Sequence, residues 1–222
     1  MSDVNCTRKG CKDVFNSFLV KNATFASNLE IPCIKAEYRL PAKLISFSKA
    51  VSKADASAWV HFYEDDAAFE RLWTSPKRYL PILKRFAGVI APDFSLYRDM
   101  PLVMQQWNVY RSHAIAHWLQ ENGISVIANV RWGDWRTFDL CCAGVPQNAT
   151  FAVGSHGCVK LLREREYFKR GLEHVVKLLS PKTIIVYGTT PDEIFGRYKD
   201  AGISILQFNS DYMDAHRKEV SA

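Results

Sequence analysis

The sequence predicts an α/β fold: a lean or incomplete (β/α) barrel-like sheet of about seven mainly parallel strands, with an open doubly wound sheet as the alternative. Three observations predict it. Short apolar runs alternate with helical segments from residue 40 onward. Several of those runs, such as 124–130, carry almost no charge, as strands buried on both faces do. No interdomain linker or internal repeat interrupts the alternation, which implies parallel pairing through helical crossovers. A complete (β/α) barrel takes about 250 residues, so a chain of 222 residues makes a lean one.

The elements follow in chain order. Residues 1–35 are less regular and read as an N-terminal appendage that caps the barrel bottom or docks a partner; residues 36–222 read as a single α/β domain. Leu44-Ile45-Ser46-Phe47 is the weakest strand candidate, and 58–63 a stronger one. An acidic amphipathic stretch follows at 66–73, and Ser75-Pro76 has the form of a helix cap with proline at the first position, opening a helix that runs to 86–88. After a strand at 88–91, residues 101–122 form the longest early helix. Met104, Trp107, Ile115, Trp118 and Leu119 recur there at helical spacing, and Gly123 stops it. Strands at 124–130, 150–153 and 183–186 share one apolar character. Between the last two, a helical stripe runs from Leu161 and Leu162 through Phe168, Leu172, Val175, Val176 and Leu179, with Arg163, Arg165, Lys169 and Arg170 on its solvated side. Thr190-Pro191-Asp192-Glu193 has the form of a capping box for a short helix to Lys199, and 203–208 is the last strand. The tail from Asp211 is polar.

Composition excludes several classes. With 48% hydrophobic and 23% charged residues the chain is globular rather than disordered. No apolar run is long enough to cross a bilayer and the start is polar, so the expectation is a soluble, cytoplasmic protein with no membrane partner. A formal charge of +6 favours anionic partners, either a small anionic ligand or nucleic acid. Six cysteines without a secretory leader imply reduced thiols. Cys6, Cys11 and Cys33 lack a fourth ligand at a recognisable spacing, so no metal site is assigned to them. Vicinal Cys141 and Cys142 read as half-buried small hydrophobes, and His113 and His117, four apart without a metalloprotease pattern, as surface or core-edge residues. Neither a cofactor nor an oligomeric state is specified.

In either parallel architecture the ligand site lies at the carboxyl ends of the strands. Just past them stand Asp93, Ser95, Tyr97, Arg98 and Asp99; then Arg131, Trp132, Asp134 and Trp135; then Gly154, Ser155, His156 and Gly157; and finally Tyr187 and Gly188, with Tyr63 to Asp66 adding to the same rim. Asp99 and Asp134 stand just before predicted helices, where an aspartate caps free N–H groups. Asp93 follows a proline at a strand end and is the best single acid. Gly154 to Gly157 lead into a helix, where small residues let N–H groups approach an anion, although no phosphate-loop lysine follows. Ser155 and His156 are neighbours in sequence and a poor nucleophile–base pair. The candidate catalytic residues are therefore Asp93, Asp134 and His156. Tyr97, Arg98, Arg131, Trp132, Gly154, Ser155 and Tyr187 are the candidate ligand-binding residues, with the arginines clamping an anion in two-point geometry.

Several phrases carry a resemblance: Phe69-Glu70-Arg71-Leu72-Trp73, Pro92-Asp93-Phe94-Ser95-Leu96-Tyr97, Gln106-Trp107-Asn108-Val109-Tyr110-Arg111 and Ile185-Val186-Tyr187-Gly188. Over roughly residues 31–208 the chain resembles an uncharacterised domain-of-unknown-function family found in bacteria, phages and mobile elements. The resemblance implies a setting and no reaction. The expected function is binding of a small phosphorylated or nucleotide-like ligand, with hydrolysis of a phosphorylated or glycosidic bond as the reaction paired carboxylates would support. The alternatives are a nucleic-acid-binding accessory protein of a mobile element, and an interaction module that inhibits a host enzyme.

Overall fold

In a computed structural model of the protein, residues 13–53, 55–210 and 213 are described. Cys6, Cys11 and nearly all of the polar tail lie outside the described residues.

Seven strands form one parallel sheet: β3 (Leu44–Ser46), β4 (Trp59–His61), β5 (Gly88–Ile90), β6 (Val126–Asn129), β7 (Thr150–Gly154), β8 (Thr183–Tyr187) and β9 (Ser204–Phe208). Their order across the sheet is their order in the chain, and every pairing is parallel. The sheet curls into a half-barrel whose ends are β3 and β9. All but one of the segments between strands carry helices, α1 (Phe47–Ser52), α2 (Asp66–Thr74), α3 (Pro76–Leu83), α4 (Leu102–Glu121), α5 (Leu162–Leu179) and α6 (Asp192–Asp200), and the segment between β6 and β7 carries two short 3-10 turns instead. A short hairpin, β1 (Phe25–Ala26) and β2 (Ile31–Pro32), precedes the sheet.

The period-2 alternation of each strand sorts its side chains into two layers. Val60, Val89, Val126, Phe151 and Ile184 pack with the helices in the main core, beside Phe69, Leu72, Ile115, Leu172 and Phe195. Their neighbours Trp59, Ile90, Ile127, Ala152 and Ile185 form a second cluster on the other face, with no helical residue in it. A doubly wound sheet carries helices on both faces and reverses its strand order, and this one does neither; the half-barrel agrees with a lean barrel-like or open sheet.

Several local expectations change. Helix α3 closes at Leu83, before the anticipated 86–88, and Ser75 precedes Pro76 without a side-chain capping bond. The stripe expected on α4 holds in part: Met104 and Trp107 are exposed, while Ile115 and Leu119 are buried, with Val109 beside them, and Trp118 packs against the core. Helix α4 is covered on two sides, by the sheet and by the N-terminal segment, so no simple stripe marks it. His113 and His117 are fully buried there, not at the surface; His113 Nδ1 meets the Pro32 carbonyl at 2.9 Å, and burial pushes its pKa down to about 4. Leu19, Val20 and Ile34 join the main core, so this part of residues 1–35 packs along α4. Cys141 and Cys142 are fully buried. Leu161 and Leu162 are exposed, and the buried stripe of α5 begins at Phe168. Thr190 does not cap α6: its hydroxyl donates to Gln207, and Glu193 pairs with Arg165 instead. No helix among the described residues is long and apolar enough to cross a membrane.

Candidate functional site

The chain after β5 runs extended over the sheet's carboxyl edge, and a buried irregular segment needs partners for its backbone groups. They come from two helices. Ser112 donates to the Pro92 carbonyl (2.6 Å), Asn108 to the Ser95 carbonyl (2.7 Å), and Asp66 accepts both the Ser95 N–H and its hydroxyl. Arg111 lies 3.7 Å over the Phe94 ring, donates to Asn108 and holds both oxygens of Glu70 at 2.7 Å. Side chains and backbone groups 13 to 41 residues apart in sequence thus meet as one clamp.

The clamp places Asp93. Its carboxyl is buried and accepts from Asn129 Nδ2 (2.7 Å) and Arg131 Nη1 (2.6 Å), both at the end of β6. Asn129 in turn accepts from the Tyr63 hydroxyl (2.8 Å). Burial raises the Asp93 carboxyl above the usual aspartate range, against the pull of Arg131 and Asn129. The Tyr63 phenol is pushed up by burial and by Asp93. Tyr63, Tyr187 and His61 stack on one another with centroids 4.5 to 5.6 Å apart. Gly154 keeps this layer close, since a Cβ there would stand 3.1 Å from the Tyr63 ring.

Beside this layer a cavity of about 690 Å³ opens over the ends of β6 and β7, against the first turns of α5. Its walls bring together Tyr97 and Arg98 from the clamped loop, Arg131, Trp132 and Asp134 after β6, and Gly154 and His156 after β7. Seven of the ten residues singled out from sequence therefore share one cavity. Asp93 sits behind Arg131 and outside the lining. Ser155 is buried and donates to the Thr189 carbonyl (2.7 Å), while Tyr187 belongs to the inner aromatic stack. Gly188 makes that close approach possible: its φ is 123°, and a Cβ would fall 2.5 Å from Ser155 Oγ.

Asp134 accepts the Arg136 N–H at 3.0 Å and grips its guanidinium, so it caps the short helix Trp135–Thr137; hydrogen bonding to Arg136 lowers its pKa. Asp99 does not cap α4, whose flanking residue is Pro101. The loop from Gly154 to Gly157 does not run straight into α5, which starts at Leu162. The two carboxyls expected to divide acid and base work are each tied to a guanidinium. Trp132 packs against Phe168 (5.3 Å) and lies in a notch at Gly171. Arg98 pairs with Glu164 and rests 4.1 Å over the Tyr167 ring.

Sequence reasoning missed Glu164, Arg163, Tyr167 and Cys158 in the lining, and Asn129 and His61 behind it. For Asn129 and His61 a signal existed: His61 and Tyr63, and Asn129 and Arg131, are polar or amphipathic pairs at period two where apolar strands end. Among the described residues no cluster of three or more His, Cys, Asp or Glu is placed to hold a metal ion, and Cys33 is a free thiol.

Comparison with known proteins adds a family and two phage relatives. A family described as a domain of unknown function, DUF4417, matches residues 23–209. The gene 1 protein of Mycobacterium phage D29 is 33% identical over 219 residues, covering 97% of this chain and 78% of the relative. The gene 1 protein of Mycobacterium phage L5 is 32% identical over 219 residues, covering 97% and 93%. No solved structure matches.

Proposed function

The chain belongs to the DUF4417 family of unknown function, and from that premise we propose that its cavity binds a small anionic ligand carrying a phosphate group. One observation carries the reading. Arg98 and Arg131 reach the same cavity from two loops, each braced by a carboxylate, and each keeps a buried guanidinium nitrogen without a partner: Arg98 Nη1 and Arg131 Nε. A buried donor left unsatisfied costs about 1–3 kcal/mol, more when charged, and an anion in the cavity would supply the missing acceptor for both. The volume of about 690 Å³ lies within the range of small-molecule sites. Tyr97, more than half exposed, offers a ring face at the rim.

Binding is favoured over hydrolysis because Asp134 is held by Arg136, and Asp93 by Arg131 and Asn129, so neither is a free acid at the ligand. The phage relatives support a phage setting, and capture of a phosphorylated compound of the host cytoplasm belongs to the same proposal.

Calorimetric titration with inorganic phosphate and a nucleoside monophosphate tests it. Binding should weaken about 10- to 100-fold in Arg98→Gln, the loss of one charge-assisted interaction, with the unfolding midpoint little changed. Ligand should also shield Cys158, in the cavity wall, from alkylation. A wild-type protein that binds neither compound refutes the reading. Binding instead to long nucleic acid, with a steep fall as salt is added, would favour the nucleic-acid alternative.

A further inference from the structure

Resting on the phosphate reading of this cavity, we propose that its ligand is a dianionic phosphomonoester, selected because Glu164 already fills the Arg98 position with a singly charged carboxylate.

Both partners of the Arg98–Glu164 pair line the cavity, and they join two of its elements: the loop after β5 and the first turn of α5. The Tyr167 ring, one turn along α5 from Glu164, fixes the plane of the guanidinium that Glu164 meets. Glu164 is therefore an internal surrogate for the ligand's anion. Glu164 holds Nη2 and leaves Nη1 unpartnered, so a ligand that takes the guanidinium in two-point geometry must displace Glu164.

The exchange sets a charge requirement. A phosphodiester or a carboxylate brings a single negative charge, so it swaps one ion pair for an equivalent one while still bearing the entropy of association. A phosphomonoester carries about −1.5 to −2 charges at pH 7 and three terminal acceptor oxygens. It can satisfy Arg98 Nη1 and Arg131 Nε, the two unpartnered donors, while the second charge gains from Arg163 in the same wall. The displaced Glu164 is not stranded. Its side chain is already 35% exposed, so water can solvate the freed carboxylate. An internal phosphate of nucleic acid offers two free oxygens and one charge, which places terminal phosphates above chain-internal ones as ligands.

The test is calorimetry on the full chain with phenyl phosphate and with its methyl ester, a pair that differs in one charge. Wild-type protein should bind phenyl phosphate at least roughly tenfold more tightly than the methyl ester. In Glu164→Gln the methyl ester should tighten several-fold and the gap should shrink to less than about threefold, because the competing anion is gone. Equal affinities in the wild type overturn the inference and leave the phosphate site standing. So does weaker binding of both compounds by Glu164→Gln, which would make Glu164 a support for Arg98 rather than its occupant. Failure of both proteins to bind either compound or inorganic phosphate overturns the phosphate reading and the inference together.

Discussion

Replacing Gly171 by alanine should destabilise the wild-type protein and stabilise a variant that lacks the Trp132 indole. A Cβ built at Gly171 stands 2.1 Å from Trp132 Nε1, 2.3 Å from Cε2 and 2.4 Å from Cδ1, where ordinary contact begins at 3.4 Å. The ring would have to retreat by about 1.3 Å, and Phe168 packs against it at 5.3 Å between centroids. Overpacking of this kind costs about 1–3 kcal/mol. Alanine in a helix interior returns about 1 kcal/mol relative to glycine, so the net loss in the wild type is about 1 kcal/mol. In a Trp132→Ala background the clash is gone and only the helical gain of about 1 kcal/mol remains. The sign therefore reverses, with a coupling energy of about 1–3 kcal/mol. Urea unfolding of the four proteins measures it, as midpoint shifts at unchanged slope. Because Trp132 walls the cavity, Gly171→Ala should also weaken phosphate binding. A stabilised Gly171→Ala single variant, or the same sign in both backgrounds, refutes the packing argument.

Two further outcomes follow from the buried groups. Asp93→Ala removes the acceptor of both Arg131 and Asn129, leaving a buried amide and a guanidinium without their partner; the cost should be about 2–4 kcal/mol, below that of a fully buried pair because the Arg131 side chain is 29% exposed. Urea unfolding checks it, and a loss below about 1 kcal/mol would show the network to be incidental. His113 contributes to the pH dependence, in the same direction as buried His117: its folded pKa is lowered by burial to about 4, so as pH falls from 6.5 the unfolded chain takes the proton first. Its contribution is complete above pH 6.5 and is lost as pH falls towards 4, amounting to about 3 kcal/mol. His113→Gln should flatten that part of the stability profile relative to the wild type. Equal slopes in the two proteins would remove His113 from the account.

The edge of the site shows how far local pattern reaches. Asp93, Arg131 and His156 could be picked out because they follow apolar runs whose ends define the ligand face, a rule that needs only strand direction. What each then does could not be read. Asp134 precedes a short helix and is a cap, as its position allows, while Asp99 precedes a helix and is not. The expected capping box at Thr190 fails because α6 starts one residue later, after Pro191, and Gln207 of the neighbouring strand β9 takes the Thr190 hydroxyl. Helix α4 hid its core face because the N-terminal segment covers a second side, which leaves Asn108, Arg111 and Ser112 buried as clamps in a helix that shows no simple stripe.

By itself, the sequence determined the α/β class, the number and parallel sense of the main strands and the face on which their loops gather, because these depend on periodicity within short windows. The tertiary structure alone decided that helices cover one face of the sheet, that Arg98 meets Glu164 and Asp93 meets Arg131, and that the walls leave a cavity between them. Those pairings join residues 38 and 66 positions apart, and a side chain's partner at such range is set by how the layers pack rather than by anything its neighbours in sequence encode.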